Sequence, residues 1–213
     1  MVTNMSAIVC IFTHAHASPL AEDTRNMLMA PSTRAWTLAE LDRLPDDGNK
    51  YELVDGELFV TPAPSPAHEQ LVAVLLGLLV PYVQAEKLGR VHTPRAVVRT
   101  DESEVEPDLM VRPTTPTLPA TWAEMPTPLL VVEIFSRTTR RRDEQQKRTF
   151  YQRIGVGEYW MVDRWRRTIR VVRADVADRI AESVLEWHPL GASEGLRINV
   201  AAYFDEALGR GLS

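Results

Sequence analysis

Residues 129–135 read Leu-Leu-Val-Val-Glu-Ile-Phe, an apolar run of strand length with one carboxylate, Glu133, in its middle. A short β-branched run of this kind predicts a central strand covered on both faces. Apolar positions then switch to helical spacing. Asp143, Lys147, Phe150, Tyr151 and Ile154 fall on one face of a helix expected over residues 139–154 and ended by Gly155. Residues 158–162 and 168–173 predict a strand pair, and residues 91–99 and 106–111 two earlier strands around the acidic turn 101–104. Residues 51–54 and 57–60 flank Asp55-Gly56, the strongest two-residue hairpin signal.

Helix starts are marked as clearly. Thr37-Leu-Ala-Glu40 is a capping box that opens a short helix. Ser65-Pro66 supplies an N-cap and an N1 proline for a second helix, expected to reach about Lys87 with a kink at Pro81. An edge strand is expected over residues 196–200 and a last helix over 201–208, after a Pro/Thr-rich connection at 113–128. Strands and helices alternate without repeats, which predicts an α/β sandwich around a mixed sheet. No glycine-rich phosphate loop is visible.

Length and composition narrow the class. The 213 residues suffice for one sizeable core, and 45% hydrophobic with 25% charged residues is ordinary for a globular chain. We expect one domain over residues 31–213, with residues 1–30 an extension without fixed structure. Its apolar stretch at 7–12 is short and no Lys or Arg precedes it, unlike a secretory signal. Cys10 is the single cysteine, which excludes a disulfide framework and a multi-thiolate zinc site and suits a reducing, cytoplasmic compartment. The longest apolar run, Leu71 to Val80, is about half a membrane span, so no membrane is expected.

Net charge is −5, but residues 137–173 hold 12 of the 24 Lys and Arg against four acids. That window predicts a basic surface able to attract phosphates, with Arg137, Arg140, Arg141 and Arg142 at the start of the helix as its foremost candidates. The plainer reading is a solvated arginine-rich face.

Three features carry chemistry. A carboxylate at Glu133 among Val131, Val132, Ile134 and Phe135 is costly unless a metal, a basic partner or a proton compensates it. Asp108 follows Glu106-Pro107 at a strand mouth, where it is either a turn element or an acid presented to a site. Lys147 shares an inward face with Phe150 and Tyr151; as an exposed i,i+4 partner of Asp143 it would merely support the helix. His68 shares a face with Val72, Leu75, Leu76 and Leu79, so it is a core imidazole or a donor to a ligand carboxylate.

Taken in order, Tyr51-Glu-Leu-Val-Asp-Gly-Glu-Leu, Pro64-Ser-Pro-Ala-His68, Glu106-Pro-Asp-Leu, Val131-Val-Glu-Ile-Phe-Ser136, Asp143-x-x-x-Lys147-x-x-x-Tyr151 and Gly157-Glu-Tyr-Trp-Met-Val-Asp163 resemble the Uma family of putative restriction endonucleases, in the PD-(D/E)XK nuclease superfamily. The resemblance spans roughly residues 34–205. It implies a restriction-endonuclease-like fold with an αβββαβ core, in which Asp108 and Glu133 are the catalytic acids and metal ligands for Mg²⁺ or Mn²⁺. Glu52 would complete the metal site, with His68, Asp143 and Tyr151 in support. The superfamily pattern expects Lys two residues after Glu133, where this chain has Phe135. Lys147 would replace it, and Lys147→Met would then lower cleavage about a hundredfold or more while leaving folding intact. The implied activity is metal-dependent hydrolysis of DNA, by a homodimer if both strands are cut. Two alternatives stay open: an inactive nuclease-fold protein that binds nucleic acid or a protein partner, and a metal hydrolase acting on a small phosphorylated substrate.

Overall fold

In the computed structural model, the structure describes residues 34–136 and 139–210. The expected extension over residues 1–30 and the candidate phosphate contact Arg137 lie outside them. Thr37 caps α1 (Leu38–Leu41): its Oγ1 accepts the Glu40 N–H, and Glu40 Oε2 accepts the Thr37 N–H at 3.0 Å. β1 (Lys50–Val54) and β2 (Glu57–Thr61) pair antiparallel about Asp55-Gly56, whose φ values of 51° and 82° are those of a left-handed turn. A Cβ on Gly56 would lie 2.8 Å from Ala35 Cβ, so glycine is needed there for space as well as for φ.

A six-stranded mixed sheet forms the body, in the order β10-β9-β8-β7-β6-β3. Its strands are β3 (Gly89–His92), β6 (Leu109–Pro113), β7 (Leu130–Ile134), β8 (Glu158–Asp163), β9 (Thr168–Val172) and β10 (Arg179–Ala181). Among the described residues only β7 and β8 pair in parallel, joined by the crossover helix after β7. Every residue of both is buried, which accounts for the apolar run at 129–135 around Glu133. α2 (Pro66–Ala85) and α5 (Val200–Leu208) cover one face. By length and composition α2 could cross a membrane; here Leu71, Leu75, Leu79 and Val83 are buried in the core. The order α2, β3, β6, β7, crossover helix, β8 is the expected αβββαβ core.

Departures from the sequence reading have local causes. The strand expected over 91–99 is two: β3 joins the large sheet, and β4 (Val98–Arg99) joins β5 (Glu104–Val105), β1 and β2 in a small antiparallel sheet. Pro94, with no N–H for a ladder, sits in the break. Pro107 does the same between β5 and β6, and the chain leaves the ladder at residues 106–108, where Asp108 stands. The strand at 196–200 is β12 (Leu196–Asn199), which pairs with β11 (Val184–Trp187) in a separate ribbon and is no edge of the main sheet. α2 runs through Pro81 to Ala85.

The crossover helix is not uniformly α-helical. α3 (Arg140–Arg142) passes through a π-helical turn (Asp143–Lys147) into α4 (Arg148–Arg153). A π turn aligns residues five apart, which brings Arg142 and Lys147 to the same side, and both meet Glu52.

Candidate active site

Asp108 immediately precedes Leu109, which pairs with Val132 across the β6–β7 ladder. One further step of that antiparallel register sets Asp108 opposite Glu133. Both line a cleft of about 640 Å³ at the end of these strands, together with Lys50, His68, Glu106, Phe135 and Arg164. Asp108 Oδ2 accepts the Ile134 N–H at 2.7 Å and lies 3.0 Å from His68 Nε2; Oδ1 is 3.4 Å from Lys50 Nζ. Burial works to raise the Asp108 carboxyl, but Lys50 and His68 outweigh it and hold it well below the usual carboxylate range. In turn the Asp108 hydrogen bond and charge raise His68 against its own burial.

Glu133 is compensated by cations and a hydroxyl. Its Oε1 accepts Lys147 Nζ at 2.6 Å and Tyr151 OH at 2.8 Å, and both bonds end on that one oxygen. Lys147, with no solvent exposure, also lies 2.7 Å from Glu52 Oε1. The two acids respond oppositely to the shared amine. Burial pushes Glu133 up to about 7 despite Lys147, with the Asp108 charge adding to the rise. Glu52, equally buried, is held down at about 2 because Lys50 and Arg142 join Lys147 around it. Glu52 Oε1 accepts the Glu106 N–H at 2.9 Å, whereas Oε2 has no hydrogen bond among the described residues and faces Arg142 at 3.3 Å. Asp143 completes the group, 3.4 Å from Arg142 Nε and 4.0 Å from Lys147 Nζ.

The expected residues therefore fall into two layers. Asp108, Glu133 and His68 line the cleft; Glu52, Asp143, Lys147 and Tyr151 form a buried ionic layer behind Glu133. His68 bonds Asp108 as a donor would, and it is half-way out of the core, with 17% of its side chain exposed. Lys147 does not line the cleft. The amine that does is Lys50, which donates to the Glu106 carbonyl at 2.9 Å beside Asp108. Reading the sequence missed Lys50, although its place two residues before Glu52 on one strand puts both side chains on the same side of β1.

Folding also redistributes the basic window. Arg142 is buried against Glu52, Asp143 and Thr61, so its charge serves the ionic layer. Arg140 pairs with Asp163 at 2.6 Å and stacks over Phe135; Arg141 is exposed, its guanidinium 3.5 Å from Gln145 Oε1. Further along, Arg148, Arg153, Arg167 and Arg173 pair with Asp178, Asp55, Asp205 and Glu158. Much of the linear excess of positive charge is thus spent on acids near and far in sequence.

The residues suit a divalent ion with a largely hydrated shell. Among the described residues no three His, Cys, Asp or Glu side chains group as a closed metal cage. Two carboxylates lining one cleft, one with an oxygen that accepts no hydrogen bond among the described residues, are what Mg²⁺ takes when water fills its other positions. Asp108 Oδ1, whose partner among the described residues is the Lys50 amine at 3.4 Å, would be the second ligand oxygen if a cation took the place of that amine.

The Uma2 family model, described as "Putative restriction endonuclease", matches residues 38–201. Comparison with curated proteins found no match. Among solved structures, the chain is similar to a putative nuclease belonging to DUF820 from Anabaena variabilis ATCC 29413. The two share 18% identity and a TM-score of 0.69 over 81% of this chain and 99% of that one. At that identity the likeness establishes the fold, a central mixed sheet flanked by helices.

Proposed function

The chain belongs to the Uma2 family of putative restriction endonucleases, and from that premise we propose that it is a Mg²⁺- or Mn²⁺-dependent endonuclease acting on DNA. The observation that carries the reading is the pair Asp108 and Glu133, which line one cleft from adjacent strands, with both Glu133 hydrogen bonds on Oε1 and Asp108 Oδ1 facing the Lys50 amine at 3.4 Å. A divalent ion bound there would polarise the phosphoryl oxygens and lower the pKa of a bound water. Asp108 and Glu133 would hold it; His68 and the Ile134 N–H fix the Asp108 carboxylate. Lys147 and Tyr151 fix Glu133, and Lys147 ties it to Glu52. Lys50 is the amine placed to meet a phosphate or the attacking water as a point charge. Cutting both strands calls for two such sites, for which a homodimer is the simplest arrangement.

The test is nicking of supercoiled plasmid with Mg²⁺ or Mn²⁺ by the wild type, Asp108→Asn and Glu133→Gln, each checked for folding by circular dichroism. Each substitution should lower the rate about a hundredfold or more. Unchanged rates in both folded variants would remove the assignment. One observation favours a second reading, a nuclease-fold protein that binds nucleic acid without cutting it. Phe135 occupies the lysine position of the superfamily pattern, and Lys147 is sealed away from the cleft. Metal-independent binding by a wild type that never nicks would establish that alternative.

A further inference from the structure

Beside the cleft, the turn between β8 and β9 carries Asp163-Arg164-Trp165-Arg166-Arg167, and Trp165 is 39% exposed. Trp160 and Trp187, by contrast, are core residues. The turn is tied down at several points. Asp163 Oδ1 accepts the N–H groups of Trp165 and Arg166 at 3.0 and 3.1 Å, and Asp163 Oδ2 accepts Arg140. Arg164, which lines the cleft, donates to Ser65 Oγ at the start of α2. Its guanidinium lies 4.5 Å from the Trp165 ring centroid. That of Arg140 lies 6.0 Å from the same centroid and 4.7 Å from that of Phe135, itself a cleft residue. A planar aromatic on a tied-down turn, flanked by two guanidiniums and next in sequence to Arg164, which lines the cleft that holds two candidate metal ligands, thus keeps 39% of its surface in solvent.

We propose that Trp165, with Arg164 and Arg140, is a stacking platform for an unpaired nucleobase, so that the strand bound at the cleft is single-stranded at that point. This rests on the nucleic-acid reading above and names its substrate class. Base faces inside a duplex are covered by their neighbours; only an unpaired, flipped or terminal base can stack on a side chain. The guanidiniums add planar cationic surface and can meet the flanking phosphates, which an apolar protein partner would not use. A duplex held through its backbone alone would need the arginines but not the indole.

The test is fluorescence anisotropy in EDTA, with one fluorescein-labelled oligonucleotide presented single-stranded or annealed to its complement, to wild type, Trp165→Ala and Trp165→Phe. Equal melting temperatures verify the fold of each variant. We expect wild type to favour the single strand. Trp165→Ala should weaken that binding about tenfold and leave the duplex nearly untouched, and Trp165→Phe should retain most of the affinity. Single-strand binding unchanged in Trp165→Ala overturns the platform, and an equal loss on both substrates does the same. In either case the nuclease assignment stands, because it is read from the carboxylate variants. A wild type that binds neither oligonucleotide overturns the platform, and one that also fails to nick plasmid with Mg²⁺ or Mn²⁺ removes the nucleic-acid reading with it.

Discussion

The two faces of the large sheet are built from alternate residues of the same strands, yet they are made of different material. Leu109, Val111, Leu130, Val132, Ile134, Trp160 and Val162 pack on Leu71, Leu75, Leu79 and Phe204 in a nearly pure apolar layer. The interleaved residues Met110, Val131, Phe135, Tyr159 and Met161 pack on Phe150 and Tyr151, and in this second layer Glu133, Glu52, Lys147, Arg142 and Asp143 are buried as well. Period-two alternation separates the two tasks with one strand set. The first face supplies transfer free energy that depends on little but volume. On the second, charges are taken out of water and must satisfy one another, so each depends on the identity of its neighbours.

The largest test of that contrast lies on the apolar face. Leu75→Ala should destabilise the protein by about 3–4 kcal/mol through lost burial and the cavity left behind, measured by urea denaturation. Metal-dependent nicking per folded molecule should stay as it was. A loss of activity in the folded variant would mean that the faces are coupled.

Lys147→Met probes the other face. The sequence expectation is that this change leaves folding intact, and the burial of the amine between two carboxylates argues for a stability cost instead. The amine has no solvent exposure and lies 2.7 and 2.6 Å from Glu52 and Glu133, so a thioether strands two buried carboxylates. The cost should be about 3 kcal/mol. Adding Glu52→Gln should recover part of it, because one stranded charge is gone. A cost for Lys147→Met under about 0.5 kcal/mol would show that the ionic layer adds no net stability. Nicking by this variant, taken alone, therefore cannot separate a chemical role of Lys147 from a structural one. The Lys50→Met variant tests the amine at the cleft more cleanly.

Much of the apolar scaffold was readable because it is local. The capping box at Thr37, the Asp55-Gly56 turn and the helical face of Lys147, Phe150 and Tyr151 are all patterns within a dozen residues. Glu133 stood out for the same reason, as one acid inside an apolar run. What escaped notice depends on contacts distant in sequence. Lys50 reaches Asp108 across 58 residues, and Arg142, just before the π turn, meets Glu52 on a strand far earlier in the chain. The arginine-rich window looked like a free basic surface because the partners of several of its members, Asp55, Asp178 and Asp205 among them, lie outside it. The strand breaks at Pro94 and Pro107 were visible as residues, but not that each would pass the chain between sheets.

The smallest expected effect concerns the turn that carries Trp165. Although burial acts to raise it, Asp163 is held below the usual carboxylate range by Arg140 and by the backbone N–H groups of Arg166 and Trp165. A carboxylate whose folded pKa is depressed stabilises the fold at pH above its unfolded value, about 3.8. That contribution is lost as pH falls through the lower folded value. Asp163→Asn should therefore be less stable than wild type by about 1 kcal/mol at pH 6, since a neutral amide loses the charge-assisted bond to Arg140. The deficit should shrink as both proteins are titrated from pH 5 towards pH 2, because the wild-type carboxyl then takes up its proton. Neither core face contributes to this difference, so it isolates the turn. Urea midpoints across that range decide the matter: a deficit that stays constant down to pH 2 would mean that the charge on Asp163 does not hold the turn, and that its shape comes from the backbone alone.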